Sequence, residues 1–241
     1  MKLFQYIGLG WKRFRELLGV VRNDRLLWYI FLTLLIIDLC WIFWFGITKL
    51  LYLTGVNESL YEIRYLRITK DDSYPEIFDY IKTGVLILLL GRLSLKTRQW
   101  IYVAFMLLFI VILLDDSLEL HENWGGYFAR AYHLKPLHDL RPQDVGELIT
   151  WSILGAFVCP LILIGFLFSK RAHIANGLAM MVPFVALLFC GIFVDQLYTT
   201  FWDLFFGAGI LLDMIEDGGE MIVITTACML AAALVKHGPE T

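Results

Sequence analysis

From Trp100 to Leu114 the chain runs through fifteen consecutive apolar residues, bounded by Arg98 on one side and Asp115-Asp116 on the other. As a helix such a run is about 22 Å long, against a hydrocarbon core about 30 Å thick. In lipid every backbone polar group has to be satisfied internally, so a run of this kind folds as a helix. Six apolar blocks can be read: Leu26 to Phe45, about Ile77 to Leu90, Trp100 to Leu114, Leu148 to Phe168, about Leu178 to Val194, and about Gly209 to Val235. The second is the weakest, because Asp79 and Lys82 interrupt it. Ser73, Pro75 and Glu76 mark its start as a capping box with proline in the first turn. Pro160 predicts a kink in the fourth.

Composition agrees with a membrane protein. Apolar and aromatic residues make up 59% of the chain and charged residues 18%, where soluble domains carry roughly 25% charged. The four cysteines, Cys40, Cys159, Cys190 and Cys228, all lie inside apolar blocks without metal-ligand spacing, and read as reduced packing residues.

Orientation follows from Lys and Arg in the short connections. With six crossings, twelve of the twenty basic residues fall on one side: six between Lys2 and Arg25, then Arg92, Lys96, Arg98, Lys170, Arg171 and Lys236. Only Glu16, Asp24 and Glu240 of the 23 acids join them. This predicts an all-α polytopic transmembrane bundle of six spans with both termini in the cytoplasm, and a multi-pass localisation in a bacterial inner membrane. The lipid bilayer is the expected partner, along with other membrane proteins. Nucleic acid is not.

The first 25 residues lack an uninterrupted apolar stretch of signal-peptide type. Phe4, Ile7, Trp11, Phe14, Leu18 and Val21 recur instead at steps of three and four, with Arg15 and Arg22 flanking. This predicts an amphipathic helix over 1–25 lying on the cytoplasmic surface, ahead of a membrane domain over 26–241. A partner-docking helix is the alternative.

The chemistry sits where apolar blocks meet acids. The third block continues into Asp115-Asp116-Ser-Leu-Glu119-Leu-His121-Glu122. On one continuous helix Asp115, Glu119 and Glu122 share a face and His121 points the opposite way. In the sixth block Asp213, Glu216, Asp217 and Glu220 share a face about 100° wide. The run from Trp100 to Leu114 and the run from Met221 to Val235 are equally long, so both acidic faces are expected at one depth near the outer boundary. Asp195 and Glu147 fall close to that level. Charged groups inside spans cost several kcal/mol each, an expense that calls for cations, protons or basic partners.

The expected site therefore joins Asp115, Glu119, Glu122, Asp195, Asp213, Glu216, Asp217 and Glu220, with His121 beside them, around a divalent metal ion. Carboxylate oxygens suit calcium, magnesium or manganese. His121, His133 and His138 leave a mixed site open. Glu-x-x-His is absent, which argues against a ferritin-like di-iron bundle, and so is His-Glu-x-x-His, which excludes a zincin; Gly-x-Ser-x-Gly and the P-loop are likewise missing. Gly218 and Gly219 either allow close packing or open the helix locally. Asp38, alone in the first block, is expected to hydrogen-bond to a neighbouring helix, with a place on a proton path as the alternative. Three functions fit: a metal-dependent membrane enzyme, a cation or proton transporter, and a non-catalytic subunit of a larger membrane complex with salt-bridged acids.

Overall fold

A computed structural model describes residues 2–137 and 140–238, and those residues form an all-α bundle. The helices are α1 (Lys2–Asn23), α2 (Arg25–Leu53), α3 (Tyr74–Thr97), α4 (Trp100–Ser117), α5 (Leu120–Ala131), α6 (Pro142–Leu167), α7 (171–201) and α8 (Ala208–His237). Helix α7 is continuous but changes winding: α-helical over Arg171–Leu188, π-helical over Phe189–Val194, and α-helical again over Asp195–Phe201.

Five of these helices, α2, α4, α6, α7 and α8, are long and apolar enough to cross a membrane. The protein is thus a multi-pass integral membrane protein in contact with lipid. Helix α3 has 24 residues but stands outside that set. Its charged positions, Glu76, Asp79, Lys82, Arg92 and Lys96, are the reason. It is nonetheless central: Leu86, Leu90 and Leu93 are buried against α4 and α8. Its start lies where its residues predict, with the Ser73 hydroxyl accepting from the Glu76 amide at 3.4 Å and Pro75 in the first turn, but the capping box is half made, because the Glu76 carboxylate accepts from Tyr80 instead.

Contacts at the two ends show the six long helices alternating in direction. At one end the α3–α4 turn meets the α6–α7 turn: the Ile101 amide donates to Ser169 Oγ at 2.9 Å, and the Lys170 amide to Gln99 Oε1 at 2.8 Å. There too Asp24, between α1 and α2, receives Lys236 at 2.5 Å and His237 at 2.8 Å from the end of α8. Hydrogen bonds from these two side chains hold the Asp24 carboxyl well below its ordinary range. At the other end Lys49 of α2 pairs with Asp213 of α8, and Gly125 of α5 abuts Glu147 of α6. The two ends are called basic and acidic below.

Helix α1 is docked on the bundle along one side. Gly10 lies so close to α7 that a Cβ there would meet Leu178 at 3.0 Å, and Leu17 and Val21 are buried. Arg13 Nε donates to Asn176 Oδ1 at 2.7 Å. Of the expected apolar stripe, Val21, Phe14 and Leu18 face the core while Ile7 and Trp11 are exposed; the Phe4 side chain lies outside the described residues. The exposed half leaves an apolar surface for lipid, so α1 uses two faces where the periodicity suggested one.

Helices α4 and α5 are where the sequence reading needs correction. The expected single helix from Trp100 through Glu122 breaks: α4 ends at Ser117, Glu119 adopts a left-handed conformation (φ 48°), and α5 starts afresh at Leu120. The break re-aims every acid beyond it. Helix α5 then packs tightly on α6 through Gly125 and Gly146. A Cβ on Gly146 would collide with the Gly125 carbonyl oxygen, and one on Gly125 would stand 2.8 Å from the Glu147 amide nitrogen.

Candidate functional site: an acidic cavity at one end of the bundle

At the acidic end the helices part around a cavity of about 530 Å³. Its wall comes from the loop at Ile68–Asp71, the start of α3, the end of α4, the start of α5, α6, the π-helical part of α7 and the first half of α8. Eleven carboxylates line it: Asp71, Glu76, Asp79, Asp116, Glu119, Glu122, Asp195, Asp213, Glu216, Asp217 and Glu220. Lys70, Arg141 and His121 are the basic groups on the same wall, so acidic groups far outnumber basic ones there.

Eight of the nine residues expected at the site are therefore brought together: Glu119, His121, Glu122, Asp195, Asp213, Glu216, Asp217 and Glu220. Asp115 is not among them. It is fully buried and turned towards His121, accepting from the backbone amide at 3.0 Å and contacting Nδ1 at 2.9 Å. The left-handed turn at Glu119 produces this exchange. It swings His121 round to the cavity, where its ring stacks on Trp151 with centroids 5.2 Å apart, and leaves Asp116 as the α4 acid that faces inward. Burial alone would favour a neutral imidazole, but the Asp115 carboxylate outweighs it and holds His121 up at about 9. His133 follows α5 in an exposed left-handed turn, and His138 lies outside the described residues.

The acids divide by what they touch. Asp213 is paired with Lys49, Asp144 is gripped by Arg141 through Nε at 3.0 Å and NH2 at 2.7 Å, and Glu147 accepts from Gln143 at 2.9 Å. Glu76 accepts from the Tyr80 hydroxyl at 2.5 Å and Asp195 from Gln196 at 2.9 Å. Asp116, Glu216, Asp217 and Glu220 have side chains that make no hydrogen bond or ion pair among the described residues. Close packing sets their positions. The Glu220 carboxylate occupies the space that a Cβ on Gly191 would need, so it lies directly against the π-helical stretch of α7. Gly218 seats α8 on Ile42 of α2, and Gly219 seats it on Cys190 of α7. Both glycines thus serve close approach, and α8 stays helical through them.

The expectation of a chelated metal is unsupported. Among the described residues, no group of three or more His, Cys, Asp or Glu side chains stands close enough to hold a metal ion directly. The carboxylates are spread round a wide wall, not gathered about a point. Sequence reasoning also missed Lys49, because the first apolar block was read as ending at Phe45 while α2 continues to Leu53.

Below the cavity the bundle holds a second polar group. Lys82 of α3, almost fully buried, lies with Nζ 2.8 Å from Asp38 of α2 and 2.6 Å from Asp79. It also donates to the Met221 carbonyl at 2.9 Å and Thr225 Oγ1 at 3.2 Å, and Thr225 donates to the other Asp38 oxygen at 2.6 Å. Asp38 thus bonds to neighbouring helices, as expected.

Residues 80–234 match the sequence model of a family described as a domain of unknown function (DUF8692). No curated protein and no solved structure matches the chain. The matched stretch is well over half of the molecule and runs from Tyr80 through the acids of α4, α7 and α8; on that match, the chain belongs to the DUF8692 family.

Proposed function

We propose that this is a six-span membrane protein, with α3 as the sixth crossing and the basic end in the cytoplasm, whose acidic cavity binds a hydrated divalent cation from the opposite side. The observation that carries the reading is the set of four carboxylates, Asp116, Glu216, Asp217 and Glu220, that face one cavity without a side-chain partner among the described residues. Carboxylates that line one wall with few basic groups beside them call for cations or protons to compensate them. The absence of a chelating triad favours an ion that keeps its water. Magnesium sheds its shell reluctantly and is usually held by one or two carboxylates plus waters, and 530 Å³ accommodates such a species.

Catalysis fits less well. His121, the one imidazole on the wall among the described residues, carries a proton through neutral pH because of Asp115, so it is poorly placed to act as a general base. Transport fits less well too, because the interior between Lys82 and the basic end is filled by Leu86, Leu90, Phe105 and Leu230.

The test is thermal unfolding of detergent-purified protein titrated with magnesium, with sodium at matched ionic strength as control. Binding to the folded bundle alone raises stability by about 2.7 kcal/mol at a hundredfold excess over Kd. Glu216→Gln keeps the side-chain size and should lose most of the gain. If the wild type shows no magnesium-specific shift, or the variant an equal one, the acids are structural and the subunit reading replaces this one.

A further inference from the structure

Asp38, Lys82 and Asp79 present an imbalance that hydrogen bonding locates. Two carboxyl groups share one ammonium in the interior of the bundle, where an uncompensated charge is far more costly than in water. An ammonium has three N–H groups. Those of Lys82 go to Asp38 Oδ1, the Met221 carbonyl and Thr225 Oγ1. Asp38 is served on both oxygens, by Lys82 and by Thr225. Asp79 has the charge of Lys82 beside it, but its buried Oδ1 receives no hydrogen bond. Of the two acids, Asp79 is the one that ionisation leaves unsatisfied, and it is also the one that lines the cavity.

We infer that Asp79 is a proton-binding site, loaded and unloaded only through the acidic cavity, and that a cation entering the cavity displaces its proton. The exchange is balanced: the Asp79 O–H bond breaks, the proton passes to cavity water, and the new carboxylate is compensated by the incoming positive charge. Towards the basic end the route is shut by Leu86 and Leu90, both fully buried, and by Cys228, whose thiol donates to the Lys82 carbonyl. Around Asp79 the titratable and charged neighbours are Lys82 and Glu76 on α3, Asp38 on α2, Asp116 on α4, and Glu220 and Cys228 on α8. Lys82 is the single cation in that set, so a cation arriving near Asp116 and Glu220 acts on Asp79 directly. Because linkage is reciprocal, low pH weakens cation binding as much as the cation favours proton release.

The displacement step rests on the cavity reading above; the proton itself does not. Infrared spectroscopy of the reconstituted full chain separates the two. The wild type at mildly acidic pH should show the carbonyl stretch of a protonated carboxylic acid, with one component lost in Asp79→Asn. The same component should disappear in Asp38→Asn, which leaves Asp79 in place but gives Lys82 a single anion to balance. Magnesium should weaken that component in the wild type, and a pH-indicating dye should register about one proton per chain more than in Asp38→Asn. Asp38→Asn also serves should Asp79→Asn fail to fold. A wild-type spectrum without the acid band, or one that either variant leaves intact, overturns the proton site whatever magnesium does. Loss of the component in the variants with no response to magnesium keeps the proton site and overturns the displacement.

Discussion

The pair formed by Asp115 and His121 shows how one backbone torsion reassigns roles. With a helix running straight through residue 122, Asp115 belongs to the acidic face and His121 to its back. The left-handed Glu119 reverses both, and no Gly, Asn or Pro at that position announces it, so neither role was legible from residue types. The face of Asp213, Glu216, Asp217 and Glu220 was legible, because α8 is uninterrupted and helical phase then decides. The Asp115–His121 pair has a pH signature. Its folded-state value of about 9 lies above the ordinary 6.5, so its stabilisation is complete below about pH 6.5 and disappears as pH rises through 9. With about a quarter of the His121 side chain open to solvent (25%), the differential is on the order of 2 kcal/mol. Thermal unfolding at about pH 6 and about pH 10 should show the wild type losing that much relative to His121→Gln. Parallel losses in both proteins would show that the pair contributes nothing.

Among the helices, α3 and α5 were the hardest to read, for opposite reasons. Helix α3 looks weak because Asp79 and Lys82 lower its apolar content, yet the Lys82 ammonium is satisfied inside the bundle by α2 and α8. Hydropathy scores residues singly, and this pairing across helices lies beyond it. Helix α5 was invisible because its twelve residues are amphipathic and too few to cross a membrane, and it meets α6 through Gly125. What holds α5 in place is the reciprocal approach of Gly125 and Gly146. Gly146→Ala has no room for its methyl and should cost about 1–3 kcal/mol by forcing the helices apart. Gly155→Ala, on the same helix with nothing within 4 Å, should be neutral or stabilising by up to about 1 kcal/mol. Unfolding in denaturing detergent measures both, and equal effects would show that the α5–α6 contact is loose.

Across the molecule, the division of charge between two ends was readable because it depends on counting, not on contacts. The cavity was readable only as a meeting of acids at one depth; its width, its paired rim and its lack of a chelating point are products of tertiary packing. Single cysteines at Lys12, Lys96 and Lys170, in a background without the native thiols, should react with an impermeant maleimide from one membrane face and Pro136→Cys from the other. A label reaching Lys12→Cys and Lys96→Cys from opposite faces would mean that α3 does not cross. The buried contacts of Lys82 also bear on how the chain is made. Helix α2 is synthesised first and carries Asp38 with no counter-charge, a burden of roughly 2.5–3.5 kcal/mol at a translocon. Helix α3 supplies the ammonium some forty residues later (44 residues separate the pair), but Thr225 and the Met221 carbonyl arrive only with α8. The helices between α3 and α8 are therefore all made before the first buried charge is fully clothed. A chain arrested ahead of α8 would present an intramembrane lysine and aspartate with two partners missing, the kind of exposed polar mark by which a quality-control protease could tell an unfinished copy from a complete one.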